Sequence, residues 1–309
     1  MEPRKIIIGS RGSPLALWQA NWVKDLLLEN HSGLAVEIKI IKTSGDKIQN
    51  MPLAKIGGKG LFVKEIEEGL LKREVDFAVH SMKDMPISFP MNLCIACVTK
   101  RENPFDALIS RNGVKLADLP KGAKIGTGSL RRISQLMNYR PDLELVPLRG
   151  NLETRLKKLE TEGLDAIILA AAGLIRMGWD DRITEIISPD ILLPAMGQGA
   201  VGIEARRNDV DNQILLADMD DEETHYALDA ERALVSQLQG GCNVPIGAFA
   251  TLDEDQITLT GLVASLDGKT VYKKEMTDIK TNAISLGRKM GDELIAMGGD
   301  RIMQEIKFS

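Results

Sequence analysis

The sequence has few cysteines, few histidines and no long apolar run, and each shortage excludes a class of protein. Cys94, Cys97 and Cys242 are the only cysteines in 309 residues, and an odd number argues against a secreted disulfide framework. Three histidines argue against a zinc site, so we expect no metal. The longest apolar run, 166–172, is far shorter than the ~20 residues of a membrane span.

An excess of basic charge is also absent. The chain has 39 Lys and Arg against 44 Asp and Glu, a net charge of -5. Nucleic acid and anionic membranes attract a basic surface, so neither is expected as a partner. Gly9 and Pro14 come too early for the apolar core of a signal peptide. We therefore expect a cytoplasmic protein that binds any anion through locally clustered basic residues.

Length and hydrophobic content predict two or three globular domains, since 309 residues exceed a domain of roughly 100–200 residues. Alternating strand and helix patterns predict a mostly parallel α/β sheet in the first part of the chain. A second α/β half begins near Arg101, because KIGTGSLRR from Lys124 repeats the order of IIIGSRGS from Ile6. After Asp218, a helix, alternating strands and a final helix predict a small α+β domain.

Arginines recur just after strand ends or at helix starts. They are Arg11, Arg131, Arg132, Arg149, Arg155 and Arg176. In α/β sheets ligands bind beyond the carboxyl ends of strands, and guanidinium groups pair well with carboxylate or phosphate. This placement predicts a substrate with several anionic groups, although a solvated surface charge remains an alternative for each arginine alone.

Two helix starts carry hydroxyl side chains. Ser13 before Pro14 is expected to cap the first helix. Thr127 and Ser129 precede Arg131 in GTGSLRR, where hydroxyls, backbone donors and the helix dipole together favour an anion. Capping alone would also explain Ser129.

VHSMKD, from Val79 to Asp84, follows an apolar strand and brings Lys83 and Asp84 to its carboxyl end. A carboxylate there can act as general acid or base, or stabilise a developing cation. The alternative is a turn with surface charges. We interpret His80 as a packed strand residue.

GGKG at residues 57–60 lacks the spacing and the terminal hydroxyl residue of a P-loop. The stretch 43–60 is rich in glycine and lysine without an apolar period, which indicates a mobile flap. Lys55 and Lys59 would then cover an anionic ligand, or be solvated loop lysines.

The cysteines fall into two groups. Cys94 and Cys97 lie in an apolar run and are expected to be buried and structural. Cys242 follows two glycines and precedes Pro245, which leaves its thiol unobstructed. It is a candidate nucleophile or attachment point, although the local sequence alone does not require a covalent role.

Seven segments in order resemble the porphobilinogen deaminase family over the whole chain. They are SRGSPLALWQA from Ser10, GGKGLFVKE from Gly57, VHSMKD, GTGSLRR, LRGN from Leu148, PAMGQGA from Pro194 and GGCNVPIG from Gly240. The resemblance implies a transferase that joins four porphobilinogen molecules head to tail, with loss of ammonia, into linear hydroxymethylbilane for tetrapyrrole (haem) biosynthesis. It also implies a monomer primed by a dipyrromethane cofactor on a cysteine thioether.

Carried over residue by residue, the resemblance makes Cys242 the attachment point and Asp84 the catalytic carboxylate. The implied cofactor-binding residues are Asp46, Ser81, Lys83, Thr127, Ser129, Arg131 and Arg132. The implied substrate-binding residues are Arg11, Ser13, Arg149, Arg155, Arg176 and Gln198. Lys55, Lys59 and Phe62 are assigned to the flap, with Phe62 beside the cofactor. Gly128 and Gln239 depart from the serine and glutamate common in the family.

The implied fold is α/β, with two doubly wound domains like type II periplasmic binding proteins around a cleft and a small C-terminal α+β domain. Domain 1 would comprise 1–99 with 199–218, domain 2 would comprise 100–198, and domain 3, with the cofactor cysteine, would comprise 219–309. From the residues alone, two alternatives stay open. They are a non-catalytic anion-binding two-lobe module and an enzyme for phosphorylated substrates.

Overall fold

The computed structural model describes residues 3–47, 63–240 and 244–307 of the chain. Four residues with predicted roles, Lys55, Lys59, Phe62 and Cys242, therefore lie outside the described residues. The chain divides into two compact units, Met1–Arg101 with Ala200–Thr224 and Glu102–Gly199 with His225–Ser309. The division into three domains stays a prediction.

Strands and helices alternate through most of the described chain. In chain order, the strands are β1 (Arg4–Ser10), β2 (Leu34–Ile40), β3 (Phe77–Ser81), β4 (Leu93–Val98), β5 (Asp106–Ser110), β6 (Lys124–Gly126), β7 (Glu144–Val146), β8 (Ala166–Ala170), β9 (Glu185–Ile186), β10 (Val201–Arg206), β11 (Ile246–Asp253), β12 (Gln256–Ala264) and β13 (Val271–Ile279). The α-helices are α1 (Pro14–Asn30), α2 (Ser44–Lys47), α3 (Lys64–Leu71), α4 (Leu130–Tyr139), α5 (Leu152–Thr161), α6 (Ala171–Arg176), α7 (Val210–Gln213), α8 (Glu222–Gln237), α9 (Ala283–Leu294) and α10 (Asp300–Lys307).

The first unit is built on a five-stranded sheet in the order β2-β1-β3-β10-β4. β1 runs parallel to β2 and β3, whereas β10 is antiparallel to β3 and β4, so four strands share one direction. Ile6 and Ile8 of β1 pack in one core cluster with residues of α1, while Ile7 packs in a second cluster with residues of α3. Alternate residues of the strand thus face helices on opposite sides of the sheet.

The second unit repeats this arrangement in a sheet of order β7-β6-β8-β5-β9. β6 is parallel to β7 and β8, and β5 is antiparallel to β8 and β9. Ile167 of β8 packs in a core cluster with residues of α5, and Ile168 packs in another with Leu136 of α4.

The antiparallel strand has the same origin in both sheets. β5 is the first strand after the chain enters the second unit at Glu102, and β10 is the first after it returns to the first unit at Ala200. In each sheet, the strand at the fourth position is therefore the first one formed after the chain crosses from the other unit. The predicted α/β class with two similar halves is confirmed.

The last part of the chain forms an antiparallel sheet, β11-β12-β13, as expected for an α+β segment. The final helix was expected over 283–297, but α9 ends at Leu294 and a five-residue π-turn leads into α10. Gly298 has φ of +111° there, a conformation that only glycine adopts readily, so the helical path bends at this point.

Two features are absent from the described ranges of the chain. No helix there is both long and apolar enough to cross a membrane. No group of three or more His, Cys, Asp or Glu side chains within those ranges is arranged to hold a metal ion.

Candidate functional site

Asp84 lies where the sequence predicts a ligand-facing carboxylate. β3 ends at Ser81 and continues into a single 3-10 turn, Met82–Asp84. The Met82 side chain, at the start of the turn, and the Met85 side chain, just after it, are both buried. The Met82 backbone N–H also donates to the Ala200 carbonyl over 3.0 Å. With these two anchors, Lys83 is half-buried and Asp84 is exposed.

The Ser81 hydroxyl is held by a buried amide. Gln19 of α1 is 2% exposed, and its Nε2 and Oε1 atoms lie 3.0 and 3.2 Å from Ser81 Oγ. Sequence reasoning missed Gln19, although a glutamine on the buried side of an amphipathic helix signals a polar partner. Ser81 is thus oriented immediately before the Asp84 turn.

His80 is a packed strand residue, as interpreted from the sequence. Its Nε2 lies 3.1 Å from Glu204 Oε2 of β10, and both side chains are buried. Burial raises the pKa of Glu67 on α3 to about 7, with a further contribution from the charge of Glu204, partly offset by His80. The buried side of β3 therefore faces several titratable groups.

The structure pairs Arg11 and Asp46 with each other. Arg11 Nε and Nη2 lie 3.1 and 2.5 Å from Asp46 Oδ1. Thr43 also donates to Asp46 from its backbone N–H and its hydroxyl. Burial alone would raise the pKa of Asp46, but the Arg11 and Thr43 hydrogen bonds and the Arg11 charge hold it below its ordinary value.

In the second unit, a buried carboxylate unites three predicted site residues. Asp106, at the start of β5, is 0% exposed. Arg131 Nη1 and Nη2 donate to its two oxygens over 2.8 and 3.2 Å, and Arg132 Nε and Nη2 donate to Oδ1 over 3.1 and 2.7 Å. Gln198 Nε2 donates to Oδ1 over 2.9 Å.

The charges of the two arginines decide the state of Asp106. Burial alone would raise its pKa, but Arg131 and Arg132 hold it well below the ordinary value. Sequence reasoning missed Asp106, for which the available signal was an acid at the start of the apolar strand DALIS. Such a residue requires a partner when the strand is buried.

Arg176 contacts the segment 197–199, which contains Gln198. Arg176 Nη2 donates to the Gly199 carbonyl over 2.7 Å, and burial lowers the pKa of Arg176 to about 10 despite the nearby charge of Glu102. Gly199 has φ of +93°, and a Cβ there would lie 2.3 Å from the Glu102 carbonyl oxygen. Only glycine fits this close approach.

Glu231 of α8 fixes the same segment from another side. Its carboxylate accepts hydrogen bonds from the backbone N–H groups of Gly197 and Ala250 over 2.7 and 2.9 Å, and the residue is 0% exposed. Sequence reasoning also missed Glu231, because in a charged helix nothing distinguishes it from its solvated neighbours.

The helix starts differ in how they use their hydroxyls. Ser13 Oγ accepts from the Ala16 N–H over 3.4 Å, so the predicted cap of α1 is confirmed. Ser129 stands at the N-cap of α4 but makes no capping hydrogen bond with its side chain, so capping does not explain it. Instead its backbone N–H donates to Thr127 Oγ1 over 3.3 Å.

LRGN forms the turn before α5. Asn151 caps the helix by accepting from the Thr154 N–H over 2.8 Å, and Arg155 Nε donates to the Gly150 carbonyl over 2.8 Å. Arg149 and Arg155 are both half-buried. Their predicted substrate-binding roles stay predictions.

The two described cysteines suit a structural role. Cys97 is fully buried and Cys94 is half-buried on β4. Burial raises the pKa of both thiols, with the nearby Asp220 adding to the effect at Cys97, so neither favours the reactive thiolate.

The two five-stranded sheets have matching strand orders, which defines an α/β protein of two similar halves. The second half has a locally positive interior, because two buried guanidinium groups surround a single buried carboxylate. Proteins of this class are suited to anionic ligands.

Comparison with known proteins identifies the family. Residues 6–213 match the family model described as porphobilinogen deaminase, dipyromethane cofactor binding domain, and residues 226–296 match that of the C-terminal domain. The porphobilinogen deaminase of Desulforamulus reducens is 52% identical over 98% of both chains. That of Citrifermentans bemidjiense is 52% identical over 99% of this chain and 96% of its own. The chain belongs to the porphobilinogen deaminase family.

Shape comparison gives weaker likenesses. A probable amino-acid ABC transporter extracellular-binding protein, YtmK from Bacillus subtilis, is 14% identical with a TM-score of 0.41, over 70% of this chain and 90% of its own. A TM-score this low carries no argument. The predictions of the family, of a transferase and of a dipyrromethane cofactor are confirmed by the sequence relatives.

Proposed function

We propose that this chain joins four porphobilinogen molecules head to tail into hydroxymethylbilane, that Cys242 carries the dipyrromethane cofactor through a thioether, and that Asp84 is the catalytic carboxylate. The observation that carries the site assignment is the exposed Asp84 at the carboxyl end of β3, within the region that matches the family's cofactor-binding domain. Asp84 is accessible to a ligand, whereas both carboxylate oxygens of Asp106 are already paired with Arg131 and Arg132.

The chemistry requires a carboxylate of this kind. Loss of ammonia from porphobilinogen leaves a positively charged carbon conjugated to the pyrrole. A nearby carboxylate stabilises that charge and accepts a proton when the next pyrrole couples. Lys83, beside Asp84 on the same turn, would pair with a carboxylate of the substrate.

The described residues fit the cofactor through their donor chemistry. Pyrrole units bear acetate and propionate groups, and Arg131 and Arg132 together exceed the charge of Asp106 by one. Ser81, Lys83, Thr127 and Ser129 would be further cofactor-binding residues, as the family resemblance implies. When bound, the dipyrromethane group supplies the pyrrole end to which substrate units are added.

Further residues, a flap and the domain organisation complete the proposed function. Asp46 would contact the cofactor, and Arg11, Ser13, Arg149, Arg155, Arg176 and Gln198 would bind the substrate. The segment 43–60, with Lys55 and Lys59, would act as a flap, and Phe62 would lie beside the cofactor. We further propose a cytoplasmic monomer with three domains.

Intact-mass measurement of the denatured protein tests the covalent part. We expect the wild type to exceed its sequence mass by two linked pyrrole units, Cys242→Ser to lack this mass and turnover, and Cys94→Ser, the matched control, to keep both. An active wild type without the added mass would refute attachment of the cofactor. Retention of the mass in Cys242→Ser would reject that residue as the anchor.

A further inference from the structure

We infer that Asp106 is a positioning residue, which holds Arg131 and Arg132 so that their other donor groups meet the carboxylates of the pyrrole ligand, with Gln198 as a further donor to the Asp106 carboxylate. The inference rests on the proposed function, because it concerns how that site is held in shape. Asp106 itself is fully buried and would touch neither the cofactor nor the substrate.

Asp106 occupies a rigid position in the sheet of the second unit. β5 lies between β8 and β9, with Asp106 in register with Ala170, and the Asp106 carbonyl accepts from the Ile187 N–H over 2.8 Å. The backbone of this residue is therefore fixed by the sheet on both sides. A carboxylate on such a strand is a better reference point than one on a loop.

The side chains that donate to Asp106 are themselves anchored elsewhere. Arg131 and Arg132 are consecutive residues of α4, yet both guanidinium groups turn to the same carboxylate. Each has a second anchor on a backbone carbonyl, Leu193 at 2.7 Å from Arg131 Nη1 and Ile168 at 2.8 Å from Arg132 Nη1. Gln198 joins them over 2.9 Å and also donates to the Pro104 carbonyl. Asp106 thereby fixes the planes of both guanidinium groups.

Asp106 and its two arginines together carry a net positive charge. Two guanidinium groups face one carboxylate, so the group keeps one positive charge although both arginines are at least 94% buried. An ion pair that served stability alone would approach neutrality, since a buried net charge is costly. A ligand carboxylate would balance the remaining charge.

The second unit contains a suitable control. Arg140 Nε and Nη2 donate to the two oxygens of Asp142, each over 2.7 Å, and the guanidinium also donates to the Leu116, Ala117 and Leu119 carbonyls. This is the same bidentate Arg–Asp chemistry with backbone anchors, but it includes none of the proposed ligand-binding residues. Asp142→Asn thus removes a carboxylate from the same type of bidentate pair, at a site that is partly exposed.

The experiment compares Asp106→Asn, Asp106→Glu and Asp142→Asn with the wild type. For each purified protein, intact mass gives the share that carries the two-pyrrole adduct, thermal unfolding gives Tm, and steady-state kinetics give kcat and KM per adduct-bearing molecule. Asp106→Glu keeps the charge but moves the carboxylate by one methylene, so it separates position from charge. If Asp106→Asn does not fold, Asp106→Glu decides by the same readouts.

We expect the Asp106 variants that fold to lose the adduct, or to keep it and lose at least about tenfold in kcat/KM, since misplacement by about 1 Å costs up to ~100-fold. Asp142→Asn should lower Tm and leave the adduct, kcat and KM within about twofold of the wild type. The inference is overturned if the Asp106 variants lower Tm yet keep the adduct share, kcat and KM within that range. A wild type with neither adduct nor turnover would instead refute the proposed function.

Discussion

At the scale of single residues, three carboxyl groups show how the surroundings assign different chemistry to similar side chains. Asp84 is exposed on a turn, Asp106 is buried against two arginines, and Glu67 is half-buried near another carboxylate. Only Asp84 is both accessible and free of a buried partner network, which suits a group that must meet a ligand. We therefore expect a substitution of Asp84 to change turnover and a substitution of Glu67 to change stability.

Asp84→Asn should keep the two-pyrrole adduct but lose at least about a hundredfold in kcat, because the amide cannot accept a proton or balance a cation. Asp25→Asn, on the exposed side of α1, makes the same chemical change elsewhere in the first unit and should retain wild-type kcat. Turnover assays with porphobilinogen, combined with intact mass, check both. Wild-type kcat in Asp84→Asn would reject its catalytic role.

Glu67→Gln should stabilise the protein at pH 8 but not at pH 5. The folded pKa of about 7 lies above the ordinary glutamate value of 4.5, so the folded state binds more protons between these values and stability falls as pH rises through them. Because the side chain is only half-buried, we expect a gain of about 1 kcal/mol at pH 8 after allowing for solvent screening.

Urea unfolding at the two pH values measures the effect of Glu67→Gln. Glu68→Gln, on the neighbouring exposed position of α3, is the control. An equal gain at pH 5 and pH 8 would contradict the assignment of the effect to titration of Glu67.

At the scale of elements, the ends of helices and strands carry both the strain and the proposed site. Arg73, two residues after the end of α3, lies in the left-handed region at φ of +59°, and Gln239, two residues after the end of α8, lies there at +51°. Both positions favour glycine. Gln239 therefore stands at a position where the backbone strains any side chain with a Cβ, and a glutamate there would be strained equally.

Arg73→Gly should raise the free energy of unfolding by about 0.5–1 kcal/mol, because glycine adopts this backbone conformation without a Cβ clash. Arg73→Ala keeps the Cβ and should show no such gain. Chemical denaturation of the two variants provides the measurement. A gain in the alanine variant as large as in glycine would point to the arginine side chain and not to the backbone.

Gly128→Ser should lower the free energy of unfolding by about 1–2 kcal/mol, because a Cβ at this position would lie 2.9 Å from the Leu148 carbonyl oxygen. Gly128→Ala carries the same Cβ without the hydroxyl and should lose a similar amount. The family's common serine therefore requires a shift of the Leu148 backbone. Thermal unfolding of both variants tests this, and wild-type stability in either would show that the turn relaxes at no cost.

At the scale of the whole molecule, arginine–aspartate pairs recur in both units. Arg11 pairs with Asp46 and Arg206 with Asp209 in the first unit, and Asp106 and Asp142 bind arginines in the second. The pKa of each of these aspartates is lowered, because hydrogen bonds and charge, chiefly from the arginines, overcome an opposing effect of burial. The acidic chain thus uses several of its arginines to neutralise its own carboxylates.

The free energy of unfolding should fall by at least about 1 kcal/mol between pH 5 and pH 3. A carboxyl whose folded pKa is lowered contributes stability above its unfolded value of about 3.9, and loses it as pH falls toward the folded value. Asp106, the most buried, should dominate. Urea unfolding across this range tests the expectation, and a wild type with equal stability at pH 5 and pH 3 would contradict it.

The sequence by itself determined the elements, the two similar α/β halves and the family, because apolar periodicity, glycine positions and seven ordered motifs are all local. It also located Asp84 at a strand end and Ser13 at a helix start. Only the tertiary structure decided which side chains meet. Asp106 and Gln19 acquire their roles from residues 25 and 62 positions away, at Arg131 and Ser81, and local patterns carry no record of such partners. The arginine contacts that keep Asp106 charged and the burial that raises the pKa of Glu67 likewise exist only once the sheets and helices have packed.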